Sequence, residues 1–144
     1  MIVSTLLLLV AAPADCSEKS GARISSECAL EQSLRQLPDL DCEEPMTQTA
    51  MNVCSYRTYL RADITLNQTW SQVAERYRDE NEQTDTWNAI LKAQRSWLAY
   101  RDAECAVQRD RFEGGSIAPL IANSCLFTLT EQRTEQLQTL LDEN

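Results

Sequence analysis

Residues 87–105, WNAILKAQRSWLAYRDAEC, contain no Gly and no Pro and are dense in good helix formers. Trp87, Leu91, Gln94, Leu98, Arg101 and Cys105 recur at steps of three and four, with Ile90 and Trp97 beside them. That spacing puts them on one face of an α-helix. The opposite face, Asn88, Lys92, Ser96, Ala99 and Ala103, is small or polar. The constraint comes from Gln94 and Arg101, which sit in the middle of the apolar face. Long polar side chains buried without partners cost about 1–3 kcal/mol or more. Other helices must therefore pack against this one and bring it carboxylates, carbonyls and a disulfide.

Residues 1–14, MIVSTLLLLVAAPA, carry an apolar run over 6–12 and end in Ala12-Pro13-Ala14. They read as a secretory signal cut after Ala14, although the amino terminus is the only early positive charge. A lipid anchor on Cys16 is the rival reading, which Asp15 disfavours as a poor fit to a lipoprotein cleavage site. No later run approaches the ~20 apolar residues of a membrane span. The remaining chain is one domain's worth and long enough for a core. It divides into an acidic segment with weak helical character, 15–45, and a helical bundle, 46–144.

Six cysteines, Cys16, Cys28, Cys42, Cys54, Cys105 and Cys125, follow the signal. An even number in that setting reads as disulfides in an oxidising compartment. No two are spaced C-x-x-C and the chain has no His, so neither a zinc nor a redox site has its usual signature. No metal or cofactor is expected. The net charge of −9, from 13 basic and 22 acidic residues, argues against nucleic acid or an anionic membrane as partner. It would attract a cationic partner, and it also keeps a secreted protein soluble.

In chain order, Ile24, Cys28, Leu30, Leu34 and Leu37 make a weak helical pattern that stops at Pro38. The acid-rich 39–44, DLDCEE, reads as a solvated turn closed by Pro45. A long helix is expected from Thr47 to about Glu82. Its apolar stripe is Tyr59, Ala62, Leu66, Trp70, Val73 and Tyr77; its wet face is Arg57, Arg61, Gln68, Gln72, Glu75 and Asp79. Asp63 lies on the stripe and Asn67 at its edge. Residues 78–86 turn into the central helix, with Thr84 or Asp85 as its cap. Gly114-Gly115 stops that helix after residues 111–113. A short helix then runs from Pro119 to about Phe127, and Thr130 caps a last helix with Arg133, Leu137, Leu140 and Leu141 on its face. No strand alternates convincingly. The fold class is all-α, a disulfide-stapled antiparallel bundle of three to five helices.

Most catalytic sets are excluded by composition. Without His there is no Ser-His-Asp or Cys-His site, and three glycines leave no phosphate-cradling loop. Paired carboxylates for glycoside hydrolysis are not excluded by counting, but nothing selects two of the abundant acids. No catalytic residues are assigned. The Asn67-Gln68-Thr69 sequon lies inside a helix beside the buried stripe and reads as accidental. What remains is a buried polar network: Asp63, Asn67, Gln94, Arg101 and Arg133. An arginine fork can meet a carboxylate bidentately, and Asp63 facing Arg101 or Arg133 across the bundle is expected to pair with it and set helix register.

The same residues carry a resemblance. They comprise Cys42, Thr47-Gln48, Asn52-x-Cys54, Tyr59, Ala62-Asp63-x-x-Leu66-Asn67 and Leu91-x-x-Gln94-x-x-Trp97-x-x-x-Arg101-Asp102-x-x-Cys105. Gly115-Ser116, Cys125 and Leu129-Thr130-x-x-Arg133-x-x-x-Leu137 complete the set. Together they resemble the LprI-type lysozyme-inhibitor family of secreted bacterial proteins. The likeness spans 42–138 and is most specific in the Gln-Trp-Arg-Cys helix. Trp70 stands where a tyrosine is expected, and Cys16 and Cys28 lie outside the shared pattern. The resemblance implies an all-helical periplasmic or envelope protein with two disulfides in the shared region, and inhibition of a lysozyme. A common fold does not itself fix function.

Three functions follow. The first is a binding module that blocks a cationic lysozyme, drawn in by opposite charge. A loop entering the enzyme's cleft is expected to carry it. The candidate is residues 112–119, with Gly114, Gly115 and Ser116 at its centre and Arg109 and Arg111 near its start. The second is a structural or stress-related envelope protein with another partner; the third is a small hydrolase. The expected disulfides are Cys105–Cys125 across the Gly114-Gly115 turn and Cys42–Cys54 tying the acidic turn to the long helix. Cys16–Cys28 is left by elimination.

Overall fold

The computed structural model describes residues 26–78 and 85–142. The signal segment, Cys16, Ile24, Asp79, Glu82 and Thr84 therefore lie outside the described residues. Four helices make up the described chain: α1 (Ser26–Gln36), α2 (Gln48–Tyr77), α3 (Asp85–Asp110) and α4 (Ala118–Asp142). No strand occurs among the described residues, and no helix there is long and apolar enough to cross a membrane.

Helix α1 ends just before Pro38, which cannot continue it, and an Arg35–Glu31 pair one turn apart supports its exposed side. Helix α2 starts one residue later than expected, because Thr47 is its N-cap: Thr47 Oγ1 accepts from the Ala50 amide at 3.1 Å. It closes at Arg78, whose extended backbone still donates to the Ala74 carbonyl. Along α2, Thr58, Thr65, Thr69 and Ser71 donate their hydroxyls to carbonyls one turn back. A helix this rich in Ser and Thr thus satisfies its own hydroxyls.

Helix α3 stops at Asp110, three residues before the glycine pair, and residues 111–117 form a run of tight turns. The expected break between two C-terminal helices does not exist. Helix α4 runs unbroken through Thr130, which is fully buried mid-helix and caps nothing. No Gly or Pro interrupts residues 120–142, so nothing forces a stop, and a Thr that meets the core is tolerated there. Its carbonyl accepts from Thr134 Oγ1 at 2.9 Å.

The helix directions follow from side-chain contacts. Asp63 with Arg101 and Trp70 with Trp87 set α2 antiparallel to α3. The Cys105–Cys125 bond sets α3 antiparallel to α4. Asn52 with Asn123 near one end, and Tyr77 with Leu140 at the other, show α2 and α4 parallel. The α2–α4 seam is the most extensive, whereas α2 and α3 approach each other closely at few points. Small residues explain the difference. Ala62, Thr69, Thr130 and Thr134 are buried on α2 and α4, while the α2–α3 gap is spanned by large side chains, Trp70 stacked on Trp87 at 5.5 Å. Leu66, Val73 and Leu137 form the centre of the core, flanked by Trp70, Trp97, Tyr77 and Ile90.

The α2 stripe has Ala62, Leu66 and Val73 buried and Tyr59, Trp70 and Tyr77 half-buried. Residues outside the expected stripe are also buried, Cys54 and Thr69 among them. Leu60, outside the stripe, is 2% exposed, because α1 covers that side of α2. Arg57, placed on the wet face, is half-buried and grips the acidic segment. It donates to the carbonyls of Pro38 and Leu40 and touches Cys42 Sγ. Segment 38–45 is therefore pinned to α2, although its acids remain exposed.

Cys42 is bonded to Cys54 and Cys105 to Cys125, each pair with Cα atoms 5.5 Å apart. Cys28 is disulfide-bonded, and its expected partner Cys16 lies outside the described residues. The Cys105–Cys125 bond closes a separation of 20 residues. Replacing both with Ser should lower the unfolding free energy by about 3 kcal/mol in the chain-entropy account, read from urea denaturation with a raised m-value, because the unfolded chain without the cross-link is more expanded.

Candidate functional site

Arg101 sits where three helices meet, with 6% of its surface exposed. Its Nη1 donates to Asp63 Oδ1 on α2 at 2.9 Å, and its Nε to Asp102 Oδ1 at 2.9 Å. A longer contact, 3.5 Å, reaches Thr130 Oγ1 on α4. Its guanidinium also lies over two rings, 5.2 Å from the centroid of Trp97 and 5.7 Å from that of Tyr59. Burial alone pulls the Arg101 pKa down, but Tyr59, the Asp102 hydrogen bond and Asp63 outweigh it and hold it above its ordinary value. Arg101 stays charged.

Arg133 does not share Asp63. It donates from Nε to Gln94 Oε1 at 2.9 Å and from Nη1 to Gln136 Oε1 at 3.0 Å, joining α4 to α3. Its guanidinium lies 6.0 Å from the Trp97 centroid, so Trp97 links the two arginines. Burial holds its pKa below the ordinary arginine value. Asn67 contributes through backbone: its Nδ2 donates to the Asp63 carbonyl at 2.7 Å. The five polar residues thus form two linked contacts, Asp63–Arg101 and Gln94–Arg133. Asp63, Asn67 and Gln94 also line a cavity of about 550 Å3 between α1, α2 and α3.

The second feature is the turn at residues 111–117, exposed along its whole length. Gly114 has φ +79, a left-handed conformation that a side chain would strain. Gly115 is constrained by space, since a Cβ there would lie 3.1 Å from the Phe112 carbonyl, to which the Gly115 amide already donates. The amides of Arg111, Phe112 and Glu113 donate back to the α3 carbonyls of Val107, Arg109 and Asp110, and that of Gly115 donates to Phe112, whereas those of Gly114, Ser116 and Ile117 carry no bond among the described residues. The turn is tied down from α2: Asn52 Nδ2 donates to the Ser116 carbonyl at 2.9 Å. Asn52 is itself held by Gln48 Nε2 at 2.9 Å and by Asn123 Nδ2 at 3.2 Å. Sequence reasoning did not give Asn52 or Asn123 a role. Asn52-x-Cys54 was the one available signal for the first; Asn123, on a half-buried position of α4, had none. Among the described residues, Arg109 pairs with the adjacent Asp110 and Arg111 reaches Gln108 at 3.4 Å, both local contacts.

The sequence profile of the lysozyme inhibitor LprI family matches residues 41–137, which contain the ion pair, both described disulfides and the anchored turn. The chain belongs to the LprI family. A relative in Rhizobium meliloti (strain 1021), an uncharacterized protein, is 30% identical over 123 residues, covering 80% of this chain and 88% of that protein. No solved structure matches. Two family-pattern residues thereby gain a physical role here: Arg101 as the point where three helices meet, and Asn52 as the anchor of the Gly115-Ser116 turn.

Two outcomes follow from the geometry. Asp63→Ala leaves Arg101 buried without its cross-helix carboxylate and should cost about 3–5 kcal/mol, measured by denaturant unfolding. Tyr59 is pushed up to about 12, first by burial and then by the Asp63 charge. In an unfolded chain the phenol ionises near 10, so this group leaves stability unchanged below 10 and removes it as pH rises through 10 towards 12. Absorbance titration at 295 nm should show a phenol step near 12 that Tyr59→Phe lacks.

Proposed function

We propose that this protein is secreted to the periplasm or cell envelope, where it binds a lysozyme and blocks its cleft without catalysis of its own. Membership of an inhibitor family supports the partner class. The net charge of −9 supports a cationic enzyme, because opposite charge steers encounter. The observation that carries the reading is the turn at residues 111–117: exposed, held in place by Asn52, and offering the amides of Gly114, Ser116 and Ile117. Amides fixed in advance can donate to the carboxylates of a glycosidase cleft at little ordering cost. The apolar flanks Phe112 and Ile117, 39% and 37% exposed, add contact area beside them.

Lysis of a bacterial wall suspension by several lysozymes, with and without stoichiometric protein, tests this. At least one enzyme should be slowed, more strongly at low salt than at physiological salt, where the Debye length is ~8 Å. Ser116→Trp is the clean variant, since the Ser116 carbonyl that Asn52 holds survives the change. It should abolish inhibition and, as a surface substitution of about ±0.5 kcal/mol, leave Tm within about 2–4 °C. Gly115 is not a clean position, because any side chain there crowds the Phe112 carbonyl. If no lysozyme is slowed at low salt, the protein serves the envelope through another partner.

A further inference from the structure

The cavity between α1, α2 and α3 is independent of the turn and faces a different side of the bundle. It measures about 550 Å3, within the few-hundred-to-thousand Å3 range of small-molecule sites. Its wall is mainly apolar, with Leu66, Trp70 and Leu98 among the lining residues and Ala29 contributed by α1. Two polar groups at its surface are only half used. Gln94 is 7% exposed, and its Oε1 accepts from Arg133. Its NH2 group has no partner among the described residues, although a carboxamide has two hydrogens to donate there. The Asp63 side chain is 14% exposed, and Oδ1 takes the Arg101 bond while Oδ2 has no partner among the described residues. Beside Ser33, Tyr56 and Asn67, which also line it, the cavity thus offers the Gln94 amide as donor and the Asp63 carboxylate as acceptor in a mainly apolar wall.

We propose that this cavity binds a small neutral molecule bearing an N–H amide on an aromatic or apolar body. The amide carbonyl accepts from Gln94, its N–H donates to Asp63, and the body lies against Leu66, Trp70 and Leu98. Charge selects against the alternatives. Arg101, 2.9 Å from Asp63 Oδ1, offsets the carboxylate's charge, so this wall of the cavity draws neither a cation nor an anion. No buried side-chain polar atom among the described residues lacks a partner, so the Gln94 NH2 group is open to the cavity, and a ligand that pairs it while displacing water gains over one that leaves it unpaired.

The test uses N-benzylacetamide as probe and benzyl acetate, its ester counterpart without the N–H, as comparator. Both are titrated into the full secreted chain and followed by 1H–15N spectra. The amide should shift the Gln94 side-chain amide pair and the Trp70 indole signal saturably, at millimolar affinity as befits so small a ligand. The ester should bind about tenfold more weakly, the equivalent of about 1.4 kcal/mol. Ala29→Trp fills the cavity from the exposed side of α1 and should abolish the shifts while the rest of the spectrum is retained. Leu98→Trp, at 37% exposure on the facing helix, gives the same reading should the first variant fail to fold. Equal affinity of amide and ester, shifts that never saturate, or undiminished binding by a folded cavity-filled variant would each overturn the proposal. None of these outcomes bears on lysozyme inhibition, which is read separately by wall lysis.

Discussion

A guanidinium with 6% of its surface exposed is a costly thing to bury. Arg101 is tolerated because each face of it is answered: a carboxylate from α2, a neighbouring carboxylate on its own helix, a threonine hydroxyl from α4, and two aromatic rings. Helices α2 and α3 have little close backbone contact. The ion pair and the Trp70–Trp87 stack are what relate one to the other. An apolar seam would allow α3 to slide along α2 by a turn at modest cost, whereas a charge that must meet the Asp63 carboxylate on α2 does not. In this chain the pair is better understood as setting register than as adding stability.

The parallel seam between α2 and α4 works by the opposite means. Its residues are small and the helices meet closely, with the hydroxyls of Thr69 and Thr134 turned back onto their own helices. The bundle therefore has one tight seam, with polar contacts only towards its ends, and one wide seam fixed by an ion pair and a ring stack. The wide one leaves room for the cavity against α1.

Periodicity made the central helix legible, since Trp87, Gln94, Arg101 and Cys105 all lie buried on α3. Leu98, on the same predicted face, is 37% exposed because it sits at the cavity edge and not under a facing helix. Pattern also indicated that Asp63 needed an arginine, but it left Arg101 and Arg133 open. The choice depends on where α4 crosses, which no local signal encodes. Thr130 was misread because a threonine before an apolar run is an N-cap signal only where the chain is free to start a helix. Arg57 was misread because a wet-face position becomes half-buried once a disulfide draws a loop over it. Both misses arise from long-range contacts overriding local preference.

The restraints are unevenly distributed along the bundle. Cys42–Cys54, Cys105–Cys125, the Arg57 grip and the Asn52 anchor all lie at the end where α2 and α4 begin and α3 finishes. Among the described residues, the far end shows packing, the Trp70–Trp87 stack, and Tyr77 and Arg76 reaching the carbonyls of Leu140 and Leu141. Local opening therefore has a direction. Amide exchange and proteolytic nicking should enter through the aromatic end, while the cross-linked end, which presents the turn, keeps its shape. A protein built this way can fray at one end and still display the same surface at the other to whatever it meets.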